Sequence, residues 1–191
     1  MKRCIQFGFI LLLCAAPALW AQDSGEVGVF AEYFRYSYAP TPENFFGVGG
    51  RAAFNVSRSV QIEAEMGYDF QRNYTSTYRK TVTSTTVTSH LRTLHGFFGP
   101  KFQTGGGAMR LFATGKVGFD NFNYTASGPT SGFTNAVGLS SGTTAFAVYP
   151  AGGIEAFAGP IGIRIEAGDD IFFVNGAHNN LRASIGPQFR F

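Results

Sequence analysis

Between Val60 and Phe70 every second residue is apolar: Val60, Ile62, Ala64, Met66, Tyr68 and Phe70 share one parity, and Gln61, Glu63, Glu65, Gly67 and Asp69 the other. A period of two belongs to an extended strand, whose side chains point alternately to opposite faces. The pattern recurs in "FGVGGRAAF", where Phe46, Val48, Gly50, Ala52 and Phe54 oppose Gly47, Gly49, Arg51 and Ala53. It recurs again in the last residues, "ASIGPQFRF". No stretch keeps apolar residues at the 3.6-residue spacing of a helix. Clusters of Gly, Pro, Asn and Ser divide the alternation into eight predicted strands: 26–38, 45–56, 60–70, 91–103, 110–124, 144–156, 160–173 and 180–191.

Alternation does not say which face meets water. A soluble sandwich or ligand-binding barrel turns its apolar face inward, and a membrane barrel turns it toward lipid. Three features favour lipid. The predicted spans of roughly 9–13 residues match a tilted bilayer crossing, whereas ordinary strands have ~5–6. Three connections are short ("SRS" at 57–59, "QTGGGAM" at 103–109, "FAGP" at 157–160), and two of the other four, 71–90 and 125–143, are long. The polar parity is also rich in glycine, at Gly47, Gly49, Gly67, Gly99, Gly118, Gly153, Gly162, Gly168 and Gly186. A solvated strand face normally carries Thr, Lys or Glu there, whereas a narrow barrel interior needs room beside long charged side chains.

The expected fold is an all-β, eight-stranded antiparallel up-and-down transmembrane barrel. Its interior polar network is expected to comprise Arg51, Glu63, Glu65, Lys101, Lys116, Glu155, Arg164, Glu166, Arg182 and Arg190, all on the polar parity. Ten such charges facing lipid would be untenable, at ~2–4 kcal/mol for each Arg or Lys at the midplane. Pro100, Pro150 and Pro187 fall inside strands. A closed barrel has no free edge to excuse a missing N–H, so a bulge is expected at each.

The N-terminus differs in kind. "MKRCIQFGFILLLCAAPALWAQD" has two cations, an apolar run and small residues, the pattern of a secretory signal peptide. Residues 1–21 are read as that leader, cleaved after Ala21 or alternatively Ala18, and 22–191 as the barrel domain. Both cysteines, Cys4 and Cys14, lie in the leader, so no disulfide or thiolate metal site is expected beyond it. Removing Lys2 and Arg3 from the 15 basic residues leaves 13 against 12 acidic ones, a balance that gives no support for nucleic-acid binding. No cofactor and no metal is expected.

The ending, with terminal Phe191 and Phe189, Ile185 alternating upstream, resembles the C-terminal strand of Gram-negative outer-membrane proteins. "NNLRASIGPQFRF" (179–191) is similar to the closing strand of the OmpA/OmpX-like outer-membrane β-barrel family, and "FGVGGRAAFNVSRSVQIEAEMGYDF" (46–70) to its second hairpin. The resemblance implies residence in the outer membrane among its lipids and reading of Ile185, Phe189 and Phe191 by the barrel-assembly machinery. A monomer is expected.

Small barrels of this kind include lipid A-modifying enzymes, whose deacylases carry a His-x-Ser pair on the lipid-facing wall. The histidines here read "HLR" at His90, "HGF" at His95 and "HNN" at His178, and none has that spacing. Catalysis is therefore not expected, a deacylase-like enzyme or a narrow ion-conducting barrel being the alternatives. The expected role is structural, or adhesive and surface-binding through loops toward an extracellular protein or surface. The stretch "NYTSTYRKTVTSTTVTSH" (73–90) is the candidate, since its Thr, Tyr and Val residues favour strands. It is expected to extend two strands into a hairpin with Tyr74 and Tyr78 on its arm and Arg79 and Lys80 at its tip.

Overall fold

The computed structural model describes residues 24–37, 42–80, 83–104, 107–127 and 142–191, with the backbone alone for 72–80, 83–89 and 124–127. The leader expected at 1–21 and most of the 125–143 stretch lie outside the described residues.

Eight strands follow one another around a closed barrel: β1 (Gly25–Tyr36), β2 (Glu43–Ser57), β3 (Val60–Lys80), β4 (Thr83–Gln103), β5 (Met109–Ser127), β6 (Thr143–Ala158), β7 (Ile161–Phe173) and β8 (Ala177–Arg190). Every neighbouring pair is antiparallel, and β8 closes on β1 through pairs such as Glu26↔Arg190 and Ala31↔Ile185. The chain's last residue completes the closure. Phe191 accepts from the amides of Ser24 and Gly25 at 2.8 and 3.0 Å and donates to the Gly25 carbonyl at 3.0 Å.

The two faces are sorted as the alternation requires. Ile163 and Phe189 are 57% and 45% exposed, and Val29, Phe46, Phe54, Met66, Phe98, Leu111 and Ile161 also lie on the outside. Glu63, Glu155, Lys101, Arg164 and Arg182 are buried on the inside. Such a molecule is turned inside out relative to a water-soluble one: its exterior suits hydrocarbon and its interior holds the charge. Among the described strand residues, three outward charged residues depart from the pattern. Arg35 and Arg92 are exposed, while the Asp169 carboxylate accepts from the Asn179 amide and, at 3.0 Å, from the Asn180 backbone N–H.

At the end holding Ser24 and Phe191 the connections are tight. Arg58–Ser59 joins β2 to β3, and Gly159–Pro160 joins β6 to β7 with Gly159 at φ +66°, a left-handed turn position that favours glycine. At the other end the 71–90 stretch is a ladder rather than a loop. β3 and β4 stay paired from Val60↔Phe102 to Lys80↔Thr83, with one register shift between Asp69 and Arg72.

The expected bulges at the prolines are absent. Phe98↔Val117 and Lys101↔Thr114 keep one register on either side of Pro100, as do Val148↔Ile171 and Ala151↔Gly168 around Pro150, and Gly28↔Gln188 and Ala31↔Ile185 around Pro187. In an antiparallel sheet a residue's N–H and C=O address the same neighbour, so a proline weakens one ladder and spares the other. Pro100, Pro150 and Pro187 remain in register with Ile62, Gly115 and Ile163 on their intact sides. At Pro100 the freed carbonyl accepts from Thr114 Oγ1 at 2.9 Å.

Replacing Ile165, which is outward-facing and deeper in the span, with Arg tests the exterior directly. The variant is expected to lose about 2–4 kcal/mol of folding free energy in a bilayer, measured by denaturant titration. On a water-facing strand the same change would be close to neutral.

Candidate functional site: the ion-paired barrel interior

The inward parity of the strands brings the charges into stacked layers. Nearest the tight turns, Glu26 on β1 accepts from Arg110 Nη1 at 2.7 Å and pairs with Lys101 Nζ at 3.4 Å; Lys101 also pairs with Glu155. The middle layer centres on two cations. Lys116 Nζ reaches Glu63, Glu65 and Glu166 at 2.5, 2.8 and 3.3 Å. The Arg164 guanidinium engages Glu63 through both of its terminal nitrogens, Glu166 through one, and Glu155 at 3.3 Å. Arg51 adds Glu65 at 3.4 Å and Glu166 at 3.7 Å and donates to Ser184 Oγ at 3.0 Å.

A separate layer lies farther from the tight turns. Arg182 alone serves Glu32, Asp69, Asp120 and Asp170, at 3.0, 3.5, 3.5 and 2.7 Å. His95 sits beside it, with Nε2 3.5 Å from Glu32.

Aromatic rings fill the rest of the interior. Phe34 and Tyr36 of β1, Phe45 of β2, Phe97 of β4, Phe122 of β5, Tyr149 of β6 and Phe172 of β7 belong to one buried cluster, Tyr149 and Phe97 level with Lys116 and Glu65 and the others farther from the tight turns. Tyr36 stacks on Phe172 at 5.9 Å, and Phe97 on Tyr149 at 5.3 Å. Rings also lie against the cations, with Arg164 4.1 Å from the Phe112 centroid, Arg182 4.2 Å from Phe34 and Arg51 4.5 Å from Phe30. A cation over a ring face gains electrostatically where water is excluded.

Of the ten residues expected in the interior network, Arg51, Glu63, Glu65, Lys101, Lys116, Glu155, Arg164, Glu166 and Arg182 lie in these layers. Arg190 lies at the rim instead, donating to the Gly159 carbonyl at 2.9 Å, with its guanidinium 4.7 Å from the Phe157 ring. Ile185, Phe189 and Phe191 face outward. Tyr74, Tyr78, Arg79 and Lys80 fall on β3 in register with Ser89, Thr85, Ser84 and Thr83. The expectation omitted Glu26, Glu32, Asp69, His95, Arg110, Asp120 and Asp170, although parity placed most of them inward. It also omitted the interior aromatics, because a phenylalanine on the polar parity carries no mark that separates it from a lipid-facing one.

No protein-family model matches the chain, and no curated protein matches it. The fold itself matches solved barrels. Ail, the attachment invasion locus protein of Yersinia pestis, superposes with a TM-score of 0.57 at 12% identity, over 90% of this chain and 100% of that one. The structure of Ail with the heparin analogue sucrose octasulfate gives 0.55 at 11%, over 88% and 99%. The outer membrane protein OprG from Pseudomonas aeruginosa gives 0.52 at 12%, over 89% and 97%. The fold is that of the bacterial outer-membrane β-barrels. At these identities the likeness is one of fold alone.

Removing one cation from the middle layer leaves its carboxylates buried and short of a partner. Arg164→Met is expected to destabilise the folded barrel by about 3–5 kcal/mol in denaturant unfolding. Adding Glu63→Gln to that variant is expected to recover part of the loss.

Proposed function

We propose that this chain is an integral barrel of the Gram-negative outer membrane that works at the cell surface as a non-catalytic binding or adhesion protein. The observation that carries the reading is the β3–β4 hairpin. Each of its strands has 21 residues, against 12 in β1 and 13 in β7. A tilted crossing takes ~9–11 residues, so about half of the hairpin stands beyond the bilayer at the end away from the tight turns. That end faces the outside, since the tight turns at the opposite end belong on the periplasmic side. Among the described residues, β3 beyond Asp69 pairs with β4 and not with β2, which leaves a stretch of strand edge open to a partner. Arg79 and Lys80, beside the tip, give the hairpin a basic end.

Two further considerations support the reading. Ail, which shares the fold, is named for attachment, and its complex holds a sulfated heparin analogue. The basic hairpin end gives this chain a feature suited to a sulfated glycan. Against catalysis, His95 is fully buried inside the barrel, His178 Nε2 lies 2.9 Å from the Val174 carbonyl, and His90 contacts Gln71 at 3.2 Å. None of the three has the His-x-Ser spacing of the lipid A deacylases. The aromatic rings that fill the interior oppose ion conduction. In the same reading the barrel is a monomer, and its terminal strand is recognised by the assembly machinery.

The test replaces residues 75–88 with a short Asn-Gly turn in cells displaying the protein. Attachment to a heparin-coated surface is expected to fall at least ~5-fold, with the barrel still resisting SDS until heated. Equal attachment by two folded proteins would sink the proposal. For the catalytic alternative, the mass of lipid A from membranes holding the barrel is expected to be unchanged. A mass shift abolished by His178→Ala would mark an enzyme instead.

A further inference from the structure

The interior charges fall into two networks that share no ion pair among the described residues. In the layers nearer the tight turns, the five carboxylates of Glu26, Glu63, Glu65, Glu155 and Glu166 meet the five cations of Arg51, Lys101, Arg110, Lys116 and Arg164. In the layer farther from them, the four carboxylates of Glu32, Asp69, Asp120 and Asp170 meet one guanidinium, that of Arg182. Burying uncompensated charge is far more costly than burying a pair, so four carboxylates around one guanidinium call for further neutralisation, by protons or by a second cation.

The atoms left over are grouped. Glu32 Oε1, Asp69 Oδ1 and both ring nitrogens of His95 make no hydrogen bond, although all three residues are buried and His95 is 0% exposed. One ligand atom from each of the three lies within 4.8 Å of the others. The backbone leaves room for them. A Cβ on Gly47 would stand 2.8 Å from both Asp69 Oδ1 and Glu32 Oε1, and one on Gly67 would stand 2.6 Å from Glu32 Oε1 and 2.8 Å from His95 Nε2. Two inward glycines thus hollow out the wall where the three groups meet. The other convergent trio, Glu63, Glu65 and Glu166, contrasts with it: the Lys116 ammonium already sits among its carboxylates.

We propose that Glu32, Asp69 and His95 bind a divalent transition-metal cation inside the barrel, Zn²⁺ being the probe of choice. One imidazole and two carboxylates form a mixed nitrogen–oxygen donor set, which suits zinc and its neighbours better than magnesium or calcium. The dication compensates the two carboxylates that bind it. Asp120 and Asp170 remain with Arg182, which donates through Nε to Asp170 at 2.8 Å. The aromatic rings on one side and the paired charges on the other bar ready exchange, so the metal is taken up as the barrel closes. It acts as an internal tie between β1, β3 and β4.

The experiment refolds the full chain in detergent with ZnCl₂, dialyses it against metal-free buffer and measures zinc by elemental analysis. Folding is verified by heat-modifiable migration. About one zinc per folded barrel is expected, falling at least ~10-fold in His95→Ala and Asp69→Asn. X-ray absorption at the zinc edge of the unsubstituted protein is expected to show a histidine in the ligand shell, which decides the matter even where a variant fails to fold. A zinc-free folded barrel, zinc held equally by folded His95→Ala, or a shell of oxygens alone overturns the proposal.

Discussion

The barrel rests on one constraint: with hydrocarbon outside, every charge carried by the spanning strands is safest inside, and once inside it is cut off from water. Desolvation makes each buried ion expensive, and only close, hydrogen-bonded partners offset that cost. The structure answers by sharing rather than by simple pairing. Lys116 is in contact with three carboxylates and Arg182 with four. Each strand contributes to a neighbour's electrostatic balance, so closing the barrel and neutralising its interior are one event.

The inward glycines are the steric side of the same arrangement. Gly118 and Gly186 would place a Cβ only 1.8 Å from the Gly96 carbonyl oxygen and 1.9 Å from that of Val29. The wall is drawn in so closely there that a side chain would force the strands apart. Elsewhere the saved volume goes to a functional group, as Gly49 does for the Phe30 ring and Gly153 for that of Phe112, which in turn lie against Arg51 and Arg164. Aromatic and charged side chains therefore fill the lumen together.

The strands are not equally committed to the membrane. β1, β7 and β8 have 12, 13 and 14 residues, whereas β3 and β4 continue as a paired ladder well past the height of a crossing. The protein thus combines a short, internally locked wall with a long projecting β3–β4 hairpin, whose β4 strand is paired with β5 as far as Thr88↔Ser127. The wall supplies stability, and the hairpin supplies surface without asking the barrel to change shape.

Much of this was legible in the chain. Strand number, order and facing follow from the two-residue period and from the parity of charges such as Glu63, Glu65 and Arg164, because a strand has only two faces and lipid accepts only one kind. Tertiary structure decided the rest. Whether 71–90 was loop or ladder depended on pairing between distant residues, which Thr-rich sequence permits and does not impose. Pro100, Pro150 and Pro187 needed no bulge, since the cost of a missing N–H falls on one neighbour that only the closed barrel identifies. Arg190, on the right parity, ended at the rim because height along the axis is set by register and strand tilt. The partition of charge into a balanced network and a carboxylate-rich one, with His95 between Glu32 and Arg182's acids, likewise belongs to the folded barrel. Alternation fixes which face a side chain takes, but only closure brings together residues as far apart in sequence as Glu32, Asp69 and Arg182.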